Sequence, residues 1–95
     1  IEEVINMMYP YMTLSDGTEI VHSHLITEKN PPEIEVNFEC PIDGGFKSAR
    51  CVLPSYTWIN NEGYSKEEID FFTTFLEHNA HLLFKYAANG GIQIA

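Results

Sequence analysis

Residues 33–40, EIEVNFEC, alternate without a break: Ile34, Val36, Phe38 and Cys40 share one parity, Glu33, Glu35, Asn37 and Glu39 the other. Side chains along a strand point to opposite faces in turn, so this run is a strand with one buried and one wet face. A chain built around such a strand must cover the apolar side of its sheet with a second layer.

Three neighbouring runs supply the rest of the sheet. PYMTL and TEIVHSHLI are joined by Ser15-Asp16-Gly17-Thr18, and Asp-Gly between such runs is a strong hairpin signal, because both central residues of a two-residue turn must take positive φ. Asn30-Pro31-Pro32 interrupts the chain before residue 33. Asp43-Gly44-Gly45 then turns it into FKSARCVL, where Ala49, Cys51 and Leu53 fall on the core side. Strands are expected at about 8–15, 18–28, 33–40 and 46–53, followed by an aromatic-rich loop over 54–64.

At Ser65 the period changes from two to 3.6. Ser65 with Glu68 makes a capping-box pattern, Glu67, Glu68 and Asp70 suit the positive end of a helix dipole, and Asn89-Gly90-Gly91 is a stop signal. The helix is therefore expected over about 66–88. Phe71, Phe72, Phe75, Leu76, Leu82 and Leu83 lie on one arc with Ile69, Ala80 and Ala87, wider than the roughly 100° stripe that docking on one surface needs. Either the 54–64 loop, with Tyr56, Trp58, Ile59 and Tyr64, wraps over the excess or a second subunit does; the loop needs no partner and is preferred. The expected architecture is α+β: a two-layer domain with a four-stranded antiparallel meander sheet (ββββα) and one long C-terminal helix packed on one face.

The 95 residues suffice for a single core, and 44% hydrophobic content is that of a folded chain. Fourteen acids against five Lys and Arg give a net charge of -9. Such a surface repels phosphate backbones and argues against direct nucleic-acid binding, while it steers towards basic partner proteins. The opening IEEVINMMYPYM has no basic flank and no long apolar run, so neither export nor membrane insertion is expected. A cytoplasmic setting with Cys40 and Cys51 as free thiols follows, and both read as small hydrophobes.

Four histidines raise the question of a metal or catalytic centre. Requiring apolar faces to agree across neighbouring strands sets Val21 beside Cys40, Ser23 beside Phe38 and Leu25 beside Val36. His22 then faces Glu39, His24 faces Asn37, Tyr11 and Tyr9 fall beside His22 and His24, and Arg50 falls beside Glu39. The expected outer face carries a transverse row Tyr11, His22, Glu39, Arg50. Cross-strand pairs of this kind are ordinary sheet stabilisers of roughly 0.2–1 kcal/mol each. An open face with two Tyr, two His and an Arg is also the composition of a recognition surface. His78 and His81, on the helix, lie across the sheet from His22 and His24, so the four cannot share an ion. His22 and His24 with Glu39 would be a minimal zinc ligand set, although a lone H-x-H is a weak signal.

No phosphate-binding glycine loop and no nucleophile matched to a base is present, and no cofactor is implied. The segments GGFKSARCVLPSYTWINNEGYSKEEIDFF and NAHLLFKYAANGGI resemble small uncharacterised acidic proteins from mobile elements of anaerobic Firmicutes. The resemblance spans about half of the chain, carries no catalytic residue, and implies phage, plasmid or defence-related biology.

The expected function is that of a non-catalytic protein-binding module, an inhibitor or regulator of a basic, nucleic-acid-handling partner in the manner of anti-CRISPR proteins or antitoxins. Its candidate surface is Tyr9, Tyr11, His22, His24, Glu39 and Arg50, with Trp58 and Phe84 as outlying contacts. The alternatives are a metal-dependent hydrolase using His22, His24 and Glu39, and a homodimeric structural protein.

Overall fold

The computed structural model describes residues 7–91. Among these residues five strands, β1 (Met8–Thr13), β2 (Glu19–Ser23), β3 (Ile34–Ile42), β4 (Gly45–Leu53) and β5 (Thr57–Glu62), precede one helix, α1 (Lys66–Ala88). The strands form a single antiparallel sheet in the order β1-β2-β3-β4-β5. The α+β class holds, with a fifth strand where a loop was expected.

That fifth strand follows from Trp58. Its ring packs on Phe38 and Phe72 at centroid distances of 5.6 and 6.5 Å, and its indole N–H donates to the Thr73 hydroxyl at 3.1 Å. Trp58 pairs with Cys51 and Asn60 with Arg50, so a one-residue bulge at Ile59 lets the strand both pair with β4 and lay its tryptophan against α1. Edge strand β1 covers the other flank of the helix: the Tyr11 hydroxyl donates to Asn79 Oδ1 at 2.6 Å, and its ring meets Phe75 and Tyr86. The wide apolar arc is thus embraced by both edge strands. Phe71 remains 58% exposed, whereas Phe84, expected as an outlying contact, is half-buried against the core.

The core lies between sheet and helix, with Ile20, Ile34, Val36, Phe38, Ala49, Cys51 and Leu53 meeting Phe72, Leu76, Leu83 and Ala87. Phe38 and Phe72 stack at 4.3 Å. The capping box is complete: Glu68 N–H donates to Ser65 Oγ, and Ser65 N–H donates to Glu68 Oε1. At the other end Asn89 and Gly91 N–H groups both donate to the Tyr86 carbonyl.

Turn chemistry departs from expectation at one point. Only Gly17 of the β1–β2 turn has positive φ (94°); Gly17 N–H donates to Leu14 O and Leu14 N–H to Thr18 O. These bonds enclose a three-residue loop, a type I turn followed by a left-handed glycine, in place of the two-residue turn. The Asp16 carboxylate accepts from Thr18 N–H, which holds its own pKa below the ordinary carboxylate value. Strand β2 ends at Ser23, short of the expected residue 28, because Leu25 N–H turns away to the Ala87 carbonyl at the helix C-terminus.

Candidate interaction surface

Register decides which side chains share a face. Strand β2 pairs with β3 as Glu19↔Glu39, Ile20↔Phe38, Val21↔Asn37 and His22↔Val36. His22 was expected opposite Glu39, three residues further along β3. An odd slip exchanges the two faces of a strand, so Ile20 and His22 are buried beneath the helix while Glu19 and Val21 face outwards. The expected row Tyr11, His22, Glu39, Arg50 therefore does not exist.

His22 has no exposed surface. Tyr9, its cross-strand partner, lies 5.7 Å away between ring centroids, and Tyr11 lies at 6.5 Å nearly edge-on. A bulge at Tyr11 lets the β1 tyrosines turn towards the helix side with His22. Nδ1 of His22 sits 2.8 Å from the Ser23 carbonyl, which can only accept, so Nδ1 carries the proton and Nε2 is left as a buried lone pair with no partner. Burial pushes the His22 pKa below its ordinary value, and the bond to Ser23 offsets only part of that. Burial likewise raises Tyr11, with a smaller contribution from Tyr86.

His24 lies half-buried in the segment after β2, where its carbonyl accepts from Ser23 Oγ. His78 and His81 are both exposed on α1. With His22 under the helix and Glu39 on the open face, His22, His24 and Glu39 do not come together as a ligand set. Among the described residues no group of three or more His, Cys, Asp or Glu converges on a metal-sized site.

What the open face does carry can be read rung by rung. One rung is Pro10, Val21, Asn37, Arg50, Asn60 and the next is Thr13, Glu19, Glu39, Ser48, Glu62. Arg50 pairs with Asn37, two residues from the expected Glu39, and an even slip keeps both Arg50 and Glu39 outside. Arg50 Nε donates to Asn37 Oδ1 at 2.7 Å and Nη1 to Glu35 Oε1 at 3.3 Å. Its guanidinium is thereby directed away from the glutamate rung. Lys47 has the opposite parity and lies on the helix side, where Nζ meets Glu68 Oε2 at 3.0 Å.

Glu19 and Glu39 thus stand directly opposite each other on neighbouring strands, with Glu62 two strands further along the same rung. Like charges in such positions are destabilising. Sequence reasoning kept Glu39 and Arg50 and missed Glu19, Glu35 and Glu62. Their signal was parity alone: Glu35 shares it with Asn37, Glu62 with Asn60 and Glu19 with Val21 once the register is right. Comparisons with protein-family models, with curated proteins and with solved structures bring no match for the chain.

Proposed function

We propose that this chain is a small acidic, non-catalytic protein-binding module that engages a basic protein surface through the uncovered face of its sheet. The observation that carries the reading is the Glu19, Glu39 and Glu62 rung, three carboxylates on an open face whose single arginine is committed to Asn37 and Glu35. A face of this kind is poorly self-compensated in the free protein and gains when lysines or arginines are laid across it. The net charge of -9 adds long-range attraction for such a partner and fits an inhibitor or regulator of a nucleic-acid-handling protein, whose own surface is cationic.

The test is a comparative capture from the native host with the wild-type chain and a Glu19→Gln, Glu39→Gln, Glu62→Gln variant. Basic proteins retained by the wild type, eluted by moderate salt and lost with the variant are the expected result. An identical set of captured proteins on both baits would refute the reading.

A further inference from the structure

Strands β3 and β4 are longer than their neighbours, nine residues each against five in β2 and six in β5. β2 reaches only Glu39, through Glu19, and β5 reaches only Ser48, through Glu62. The last three rungs of the β3–β4 hairpin, Cys40↔Lys47, Pro41↔Phe46 and Ile42↔Gly45, therefore extend past both flanking strands. At about 3.3 Å per residue the ribbon projects roughly 10 Å beyond the glutamate rung. Its base is braced, since Lys47 reaches Glu68 at 3.0 Å and lies 4.8 Å over the Tyr64 ring, while the Cys40 thiol meets the Asp16 carbonyl at 3.7 Å. Its end is bare: Phe46 is 70% and Ile42 49% exposed.

Parity places Phe46 with Pro41 on the same open face as Glu39, two residue pairs beyond the carboxylates, and Ile42 on the reverse of the ribbon. An aromatic side chain held out on a paired ribbon loses little freedom on docking, which is the condition for an efficient anchor.

We infer that the projecting β3–β4 hairpin is the anchor of the binding surface, inserting Phe46 into an apolar pocket of a partner protein whose rim carries Lys or Arg against Glu39, Asp43 and the glutamate rung. The inference rests on the proposed basic-protein partner and adds to it the apolar half of the contact. Charge selects this occupant. An anionic lipid surface favours apolar wedges flanked by cations, and the turn here carries Asp43 with Glu39 behind it. A second copy of the chain would bring its own net charge of -9 against the same acids.

The probes are a short amphipathic Lys/Leu helical peptide, an oligolysine of equal charge, and phosphatidylcholine vesicles containing phosphatidylserine. Binding is read by calorimetry and by amide chemical shifts. The wild type is expected to bind the Lys/Leu peptide saturably, with shifts centred on residues 39–46, and the oligolysine more weakly. Phe46→Ser is expected to weaken the peptide complex roughly 10- to 100-fold, the value of one buried phenyl ring, with Phe46→Trp restoring it. Phe46 is exposed, so an unchanged circular dichroism spectrum is expected to accompany the loss.

Undiminished affinity in Phe46→Ser, or no saturable binding by the wild type, overturns the anchor. So does a Phe46-dependent response to vesicles without one to the peptide, or Phe46-dependent self-association in sedimentation. If the Glu19→Gln, Glu39→Gln, Glu62→Gln variant loses peptide affinity while Phe46→Ser does not, the acidic face stands and the hairpin anchor falls. If neither variant loses affinity, both fall.

Discussion

His22 gives the sharpest physical test of the register. In the folded protein its ring has no exposed surface, its Nδ1 proton is held by the Ser23 carbonyl at 2.8 Å, and Nε2 has no acceptor near it that could share a second proton. Burial lowers its pKa, so the fold favours the neutral ring. In the unfolded chain the imidazole titrates near its ordinary value of about 6.5. The unfolded state therefore binds more protons below that pH, and stability must fall as pH falls. The contribution is complete above about pH 6.5, declines below it by about 1.4 kcal/mol per pH unit, and levels off once the pH passes the folded-state pKa. Between pH 7.5 and 5.5 the loss is at most about 1.4 kcal/mol, the limit for a ring that stays neutral throughout, which caps the lowering of Tm at about 10 °C for a domain of this size. The assay is urea unfolding at half-unit pH steps for the wild type and His22→Asn, whose side-chain amide can still donate to Ser23 but cannot titrate. Subtracting the variant removes the carboxylates and the other histidines. The variant is expected to be less stable at pH 7.5, through lost packing on Tyr9 and Tyr11, and the difference should narrow steadily towards pH 5.5. Parallel curves would mean that His22 is solvated in the folded state, as on the outer face of the sheet, and the pairing of His22 with Val36 would be refuted.

Two further outcomes are expected. Burial pushes the Cys51 thiol up to about 12, so iodoacetamide should label it at pH 8 roughly a thousandfold more slowly in the folded protein than in urea; mass spectrometry after proteolysis resolves this site from Cys40, and equal rates would refute the burial. Ser65→Ala removes the acceptor for Glu68 N–H and should lower the unfolding free energy by about 1 kcal/mol in urea titration, with an unchanged urea dependence.

The helix was legible because its signals are local. Ser65 and Glu68 lie three residues apart, and the Asn89-Gly90-Gly91 stop needs no knowledge of the sheet. β3 was legible for a similar reason, since one parity is wholly apolar and the other polar. β5 was not: TWINNE shows one large apolar side chain on each parity and then polar residues only. Its strand character comes from pairing with β4 and from the contact of Trp58 with Phe72 and Thr73, both of which depend on tertiary structure.

The run EIVHSHL shows where hydrophobicity misleads. One parity offers Val21, Ser23 and Leu25, the other Ile20, His22 and His24, and counting apolar residues selects the first. The fold selects the second, because β2 ends at Ser23 and Leu25 never enters the ladder, its N–H being taken by Ala87. Without Leu25 the choice is between Val21 with Ser23 and Ile20 with His22, and the larger pair fills the space under Tyr9, Tyr11 and the helix. Ser23, left on the outward parity, is still buried, and its hydroxyl accepts from Glu35 N–H where the ladder ends.

Parity then sorts the candidate residues without reference to their chemistry. The three-residue slip between β2 and β3 carried His22 off the open face, and Tyr9, its partner on β1, and Tyr11, at the bulge, went with it. The two-residue slip between β3 and β4 left Arg50 and Glu39 outside but separated them, sending the arginine to Asn37 and Glu35. A row in which cations and anions would have compensated one another became two rungs, one carrying Arg50, which turns to Asn37 and to Glu35 beyond it, and one holding Glu19, Glu39 and Glu62. The clustering of carboxylates on the open face is therefore a property of register, set by where β2 stops pairing.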